Sequence, residues 1–152
     1  MIRLIISDCD GVLTDGKLYY GAEGEVLKVF NVKDGTAIKA LMSKGVKFGV
    51  VSGRGSAALL RRTEELGLDF CQMNISDKAE AVAALREQYG VAVHETLFVG
   101  DDTNDCVVRS ECGHLYAVND AAQALLEICD VQLKTKGGAG VFKEVLKRIH
   151  GN

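Results

Sequence analysis

The segment IISDCDGVLTDG, residues 5–16, sets two aspartates one position apart, Asp8 and Asp10, against the end of an apolar run. Ile2, Leu4, Ile5 and Ile6 read as a short buried strand that stops at Ser7 and Asp8. Moving outward, KLYYGAEGEVLKVF (about residues 17–30) reads as a β-hairpin turning at Gly21–Gly24. A helix opens near Asp34 and Gly35 and ends near Gly45; Val46–Val51 is a strand; Ser56–Leu66 is a helix closed by Gly67. The pattern continues with a strand near Asp69–Cys71, a helix Ala79–Tyr89, a strand Thr96–Val99 and a helix Asp102–Ser110. It ends with a strand His114–Val118, a helix Ala121–Cys129, a short strand Val131–Leu133 and an amphipathic helix Val141–Ile149. Strands alternating with helices imply an α/β fold, a Rossmann-like doubly wound parallel sheet covered on both faces. Ligands bind such sheets beyond the carboxyl ends of the strands, where the polar residues deserve inspection first.

The chain has 152 residues, 47% hydrophobic, which suits a single domain spanning residues 1–152. A net charge of −3 and the lack of a long basic cluster give no footprint for nucleic acid. The N-terminal apolar run is too short for a membrane span or a signal sequence, so no membrane partner is expected. Five scattered cysteines without a CxxC pair argue against a disulfide framework or a zinc site and for a cytoplasmic protein.

Four strand or helix ends carry candidate chemistry: Asp8 and Asp10 after the first strand, Ser52 after VKFGVV, Lys78 at a helix start, and Asp101, Asp102 and Asp105 after LFVG. Each has an ordinary explanation. A D-x-D can be an Asx turn, SGR an N-cap with a turn, and acids at a helix start complement the dipole. Lys78 resists such an explanation. Asp77 and Glu80 resemble a capping box, and a lysine in that first turn opposes the dipole, so another group must want its charge. Together the four make phosphate chemistry. Clustered carboxylates call for a hard cation such as Mg²⁺, serine and lysine suit phosphoryl oxygens, and an aspartate can form an acyl-phosphate. A second acid two residues on faces the same side of an extended chain, where a leaving-group proton donor must be.

DCDGVLTDG, VSGR, the lysine of SDK and GDDTND resemble, in order, the four motifs of the haloacid dehalogenase superfamily of phosphohydrolases. A phospho-receiver domain gathers similar residues but takes its phosphate at a later strand end. The resemblance implies that Asp8 is the nucleophile and a Mg²⁺ ligand. Asp10 is implied as general acid/base, its carbonyl on the metal, Ser52 and Lys78 as phosphate binders, and Asp101 as the remaining metal ligand. Asp102 and Asp105 would orient metal-bound water or Lys78.

The intervals from Asp10 to Ser52 and from Ser52 to Lys78 leave no room for an inserted cap domain, so the cleft should be open. Val26, Lys28, Phe30 and Val32 fall on one face of the hairpin and Leu27, Val29 and Asn31 on the other, a pattern poorly served by solvent; burial within the monomer is the ordinary reading and burial against another subunit the favoured one. A capless member with this hairpin, NVKDGTAI and KGGAGVFKEVL resembles the 3-deoxy-D-manno-octulosonate 8-phosphate phosphatases and the related sialic acid and KDN 9-phosphate phosphatases. Those are homotetramers whose neighbouring subunits help cover the site. By position Asn31, Asp34, Arg54 and Arg62 would contact a phosphorylated sugar acid, Arg54 by offering a guanidinium fork to its carboxylate. Asp34 doubles as a helix cap and Arg62 as a solvated helix face. Arg54 favours the octulosonate type, while Ala139 stands where that group commonly has arginine. The chain also stops before the tail that some relatives carry after the last helix. Broad-specificity, nucleotide or protein phosphatase activity, and a catalytically weak tetramer-forming module like that attached to some sialic acid activating synthetases, are the alternatives.

Overall fold

The computed structural model describes residues 1–151. β1 (Leu4–Ser7) lies at the centre of a six-stranded parallel sheet with β4 (Lys47–Val51), β5 (Phe70–Gln72), β6 (Thr96–Gly100), β7 (His114–Ala117) and β8 (Val131–Gln132), in the order β5-β4-β1-β6-β7-β8. Every pairing in that sheet is parallel. The alternation expected of strands buried on both faces is explicit: Ile5, Phe48, Val50, Leu97 and Val99 enter one core, and Leu4, Ile6, Val51 and Phe98 the other.

The first core is closed by α1 (Val32–Ser43), α2 (Ala57–Leu66) and α5 (Val141–His150) through Ile38, Leu41, Leu59, Phe142 and Val145. Phe48 and Phe142 meet edge to face at 5.0 Å between centroids. The second is closed by α3 (Lys78–Tyr89), the 3₁₀ run Thr103–Glu111 and α4 (Gln123–Ile128). Because the chain leaves β1 towards β4 and leaves β6 towards β7, the connections diverge between β1 and β6. That divergence opens a crevice at their carboxyl ends. No cap domain interrupts the described residues: a hairpin alone separates β1 from α1, and α2 with β5 separates β4 from α3.

Three expectations are adjusted. The hairpin ladder, β2 (Tyr19–Gly21) with β3 (Gly24–Leu27), is shorter than 17–30, because Lys28 leaves the ladder to bond inward. α1 starts at Val32 rather than near Asp34, since the Asn31 side chain caps it by accepting from Lys33 N at 2.8 Å. The segment expected as a helix from Asp102 to Ser110 is a 3₁₀ run capped by Asp102, with Asp105 N bonded to Asp102 O at 3.0 Å. The hairpin itself keeps apolar side chains in solvent on both faces: Tyr20 is 63% exposed, Val26 64% and Val29 53%.

Candidate active site

Asp8 is the first residue past β1, and its backbone stays in the sheet by donating to Val99 O at 3.1 Å. That anchor leaves the side chain at the mouth of the crevice, only 6% of the residue exposed. Its Oδ1 accepts from Cys9 N at 2.7 Å and lies 3.3 Å from Lys78 Nζ. Cys9 points the other way, into the core, as an interior residue. Beyond it the loop turns on Gly11 at φ +86°, with Thr14 Oγ1 accepting from Gly11 N at 3.3 Å and from Gly16 N at 3.2 Å. A Cβ on Gly11 would stand 1.8 Å from Asp101 Oδ2, so the two strand-end loops interlock at this residue.

Asp101 follows β6, and Asp105 reaches back to brace it. Asp105 Oδ2 accepts from the backbone N–H of Asp101 at 2.9 Å and of Asp102 at 3.2 Å, while its Oδ1 accepts from Lys78 Nζ at 2.7 Å. Lys78, the first residue of α3, is thus buried between two acids, which is why a lysine occupies a turn whose dipole disfavours it. Burial works against its charge, but Asp8 and Asp105 outweigh that and hold its pKa above the usual lysine value.

Asp8, Asp101 and Asp105 each bring a carboxylate oxygen within 4.8 Å of the others. Asp8 and Asp101 are both driven well above the ordinary carboxylate range, by burial first and then by the neighbouring acids. Asp101 Oδ1 is buried without any hydrogen-bond partner. A divalent cation with oxygen ligands fits this set: it would satisfy the orphaned oxygen and relieve the repulsion. Both oxygens of Asp105 are already engaged, so Asp8 and Asp101 are the carboxylates free to hold it.

Asp8 and Asp101 line a cleft of about 220 Å³ together with Asp10, Gly16, Ser52, Gly53, Arg54, Lys78, Asp102 and Asn104. Ser52 sits past β4, its N–H donating to Gln72 O at 2.8 Å and its Oγ accepting from Arg54 N at 3.3 Å. Arg54 leans over the rim, Nε 4.0 Å from Asp10 Oδ2 and Nη2 3.9 Å from Glu25 Oε2.

Three expected substrate contacts lie elsewhere. Asn31 caps α1 and donates to Gly138 O at 3.2 Å. Asp34 is buried and accepts from Phe142 N at 2.8 Å, so it caps α5 rather than its own helix. Burial pushes its pKa up to about 6 against the opposing pull of Phe142 N–H and Arg62. Arg62 passes over Gly35 and stacks at 5.9 Å from the Phe30 ring. The divergence has a physical source: α5 and the loop before it dock on α1 and engage Asn31 and Asp34, while α2 lays Arg62 over Gly35 and Phe30. Ala139 is exposed outside the cleft. Its neighbour Gly137 instead supports the site from below, since a Cβ there would stand 1.9 Å from Gly11 O. His94 and His114 lie outside the cleft, with His114 Nε2 3.1 Å from His94 O.

The sequence reading missed Lys28, whose Nζ bonds Asp10 Oδ1 at 2.7 Å and Glu25 Oε2 at 3.1 Å. Its signal was a lysine on an otherwise apolar hairpin face.

A haloacid dehalogenase-like hydrolase family model matches residues 21–108, and a second of the same description matches residues 73–145. The chain belongs to the haloacid dehalogenase-like hydrolases. It is 41% identical over 97% of its length to the 3-deoxy-D-manno-octulosonate 8-phosphate phosphatase of Haemophilus influenzae, of which it covers 82%. The cobalt-bound structure of that phosphatase from the same organism superimposes with a TM-score of 0.94 at 40% identity, over 97% of this chain and 86% of the other. The Moraxella catarrhalis phosphatase, solved with magnesium ion, phosphate ion and KDO, does so with a TM-score of 0.93 at 32% identity, over 97% of this chain and 85% of the other. The fold, the parallel sheet and the capless cleft therefore place the chain among hydrolases of the octulosonate phosphatase group. Among the described residues no helix is long and apolar enough to cross a membrane.

Proposed function

We propose that the protein is a Mg²⁺-dependent phosphomonoesterase that acts on a 3-deoxy-2-keto sugar acid phosphate of the octulosonate 8-phosphate type through an aspartyl-phosphate. One observation carries this reading: at the sheet's divergence point Lys78 is held between Asp8 and Asp105, and Asp105 in turn braces the backbone of Asp101, whose Oδ1 is buried and unpartnered. The likeness to octulosonate phosphatases, one of them solved with magnesium, phosphate and KDO, supports the substrate class.

Asp8, Asp101 and the Asp10 carbonyl would hold Mg²⁺, which would supply positive charge against the phosphoryl group. Asp8 Oδ2, not used by Cys9 or Lys78, attacks phosphorus in line, forming an O–P bond as the ester O–P bond breaks. Asp10 gives its proton to the departing alkoxide. It then takes a proton from the water that attacks phosphorus in the aspartyl-phosphate, which frees Asp8 and releases inorganic phosphate. Lys78 and Ser52 hold phosphoryl oxygens, and Lys78 keeps Asp8 oriented; most of the acceleration comes from positioning and charge. Asp102 and Asp105 act by holding the loop and Lys78.

A 220 Å³ cleft is small beside the roughly 300–1,000 Å³ usual for ligand pockets, so it holds the phosphate while the sugar acid lies across the rim. Arg54, 42% exposed at its side chain, is the cation placed there for a carboxylate. The exposed apolar hairpin supports association of copies, in a homotetramer, with a neighbour covering the rim. All five cysteines are free thiols, which supports a cytoplasmic setting, and residues 1–152 act as one phosphohydrolase domain.

The test is phosphate release, with and without Mg²⁺, from octulosonate 8-phosphate, from KDN and sialic acid 9-phosphates, and from p-nitrophenyl phosphate. Preference by kcat/KM for the octulosonate ester supports the reading. Preference for a nine-carbon ester, or none among them, would move the substrate to a related sugar acid or to broad specificity. No hydrolysis at all would leave the non-catalytic module.

A further inference from the structure

The proposed mechanism asks Asp10 to present one oxygen to the leaving group, yet its side chain stands on a turning loop and is 23% exposed. Among the described residues one close bond fixes it: Lys28 Nζ to Oδ1 at 2.7 Å. Lys28 comes from the end of the hairpin, its side chain only 3% exposed, and it is tied from behind by Glu25 Oε2 at 3.1 Å. Lysine is rarely buried without a partner, and here burial gives it two carboxylates and no other role. Lys28 does not line the cleft, whereas Asp10 does. The other Asp10 oxygen, Oδ2, lies 4.0 Å from Arg54 Nε on the rim.

We propose that Lys28, backed by Glu25, is a positioning residue that locks Asp10 Oδ1 so that Oδ2 faces the departing oxygen. The hairpin thereby becomes a working part of the active site as well as an outer surface. The inference rests on the phosphatase reading. In the first half-reaction the Asp8 O–P bond forms, the ester O–P bond breaks, and the Asp10 proton passes to the leaving oxygen. A misplaced Asp10 therefore harms esters whose alkoxide must be protonated. It spares esters whose leaving group departs as a stable anion.

The experiment compares kcat/KM for octulosonate 8-phosphate, or a simple alkyl phosphate if that is the better substrate, with kcat/KM for p-nitrophenyl phosphate. This ratio reports only steps through the first phosphoryl transfer. Lys28→Met should lower the alkyl value by about 10²-fold, within the range for acid–base catalysis, and the nitrophenyl value by less than about 3-fold. Lys28→Arg, which retains a donor and a charge, should recover most of the alkyl rate. In an Asp10→Asn background, Lys28→Met should cost nothing further. If Lys28→Met does not fold, Glu25→Gln, which removes the rear anchor, should show a smaller selective loss in the same direction. Equal losses for both esters, no loss for either, or additivity with Asp10→Asn would overturn the proposal. A wild-type protein inert toward both esters would instead remove the phosphatase reading, and the role of Lys28 with it.

Discussion

Lys78 is buried against Asp8 and Asp105, and removing one partner of a buried ion cluster is costly. Lys78→Met should lose turnover and lower unfolding stability by about 3–5 kcal/mol, read from a urea titration. Asp101→Asn should bind Mg²⁺ more weakly, shifting the Mg²⁺ dependence of turnover to higher concentration while the fold persists. Asp34 offers a test away from the chemistry. Its pKa rises from 3.8 to about 6 on folding, so the folded state holds the proton more tightly. Its stabilising contribution is present below about pH 4 and is lost as pH climbs through about 6. Asp34→Asn should flatten that part of the stability–pH curve, as measured by urea midpoints from pH 4 to 7. Unchanged slopes would place the titration elsewhere. Asp8, Asp10, Lys78 and Asp101 were legible in sequence because each breaks a local rule, acids abutting an apolar strand or a cation at a helix start. Lys28 breaks only a faint one, Asn31 and Asp34 are placed by contacts that span more than 100 residues, with Gly138 and Phe142, and Arg62 is placed by α2 packing over Gly35 and Phe30.

Strand and helix order could be read from periodicity because the central strands β1, β4 and β6 are largely apolar, buried runs between turn residues. The ladder ends could not, since Lys28 exchanges a place in the hairpin for Asp10. The 3₁₀ run after β6 escaped for a similar reason: Asp105 spends its carboxylate on the N–H groups of Asp101 and Asp102 and on Lys78. The glycines that join loops are the sensitive points at this scale. Gly11→Ala would put a Cβ into Asp101 Oδ2 at a positive φ. It should depress kcat strongly and raise the Mg²⁺ requirement, while circular dichroism stays native. Wild-type Mg²⁺ dependence in that variant would show that the two loops do not act together.

At the scale of the molecule, a single sheet brings the ends of β1, β4 and β6 and the start of α3 to one point. The same topology leaves the hairpin standing away from the cores with Tyr20, Val26, Val29 and the adjoining Val32, 75% exposed, in solvent. Burial of that surface between copies is the simplest use of it, and a Val26→Lys, Val29→Lys double variant should shift light-scattering mass from the proposed tetramer to a smaller species. An unchanged mass would place the interface elsewhere. In the proposed mechanism Asp8 is the group that takes the phosphoryl unit. The most direct measurement is rapid acid quench of wild-type protein turning over ³²P-labelled octulosonate 8-phosphate with Mg²⁺, with Asp8→Asn beside it. Base-labile label on the peptide carrying Asp8, and neither label nor turnover in the variant, is the expected result. Label on another residue, or undiminished turnover in Asp8→Asn, would contradict it.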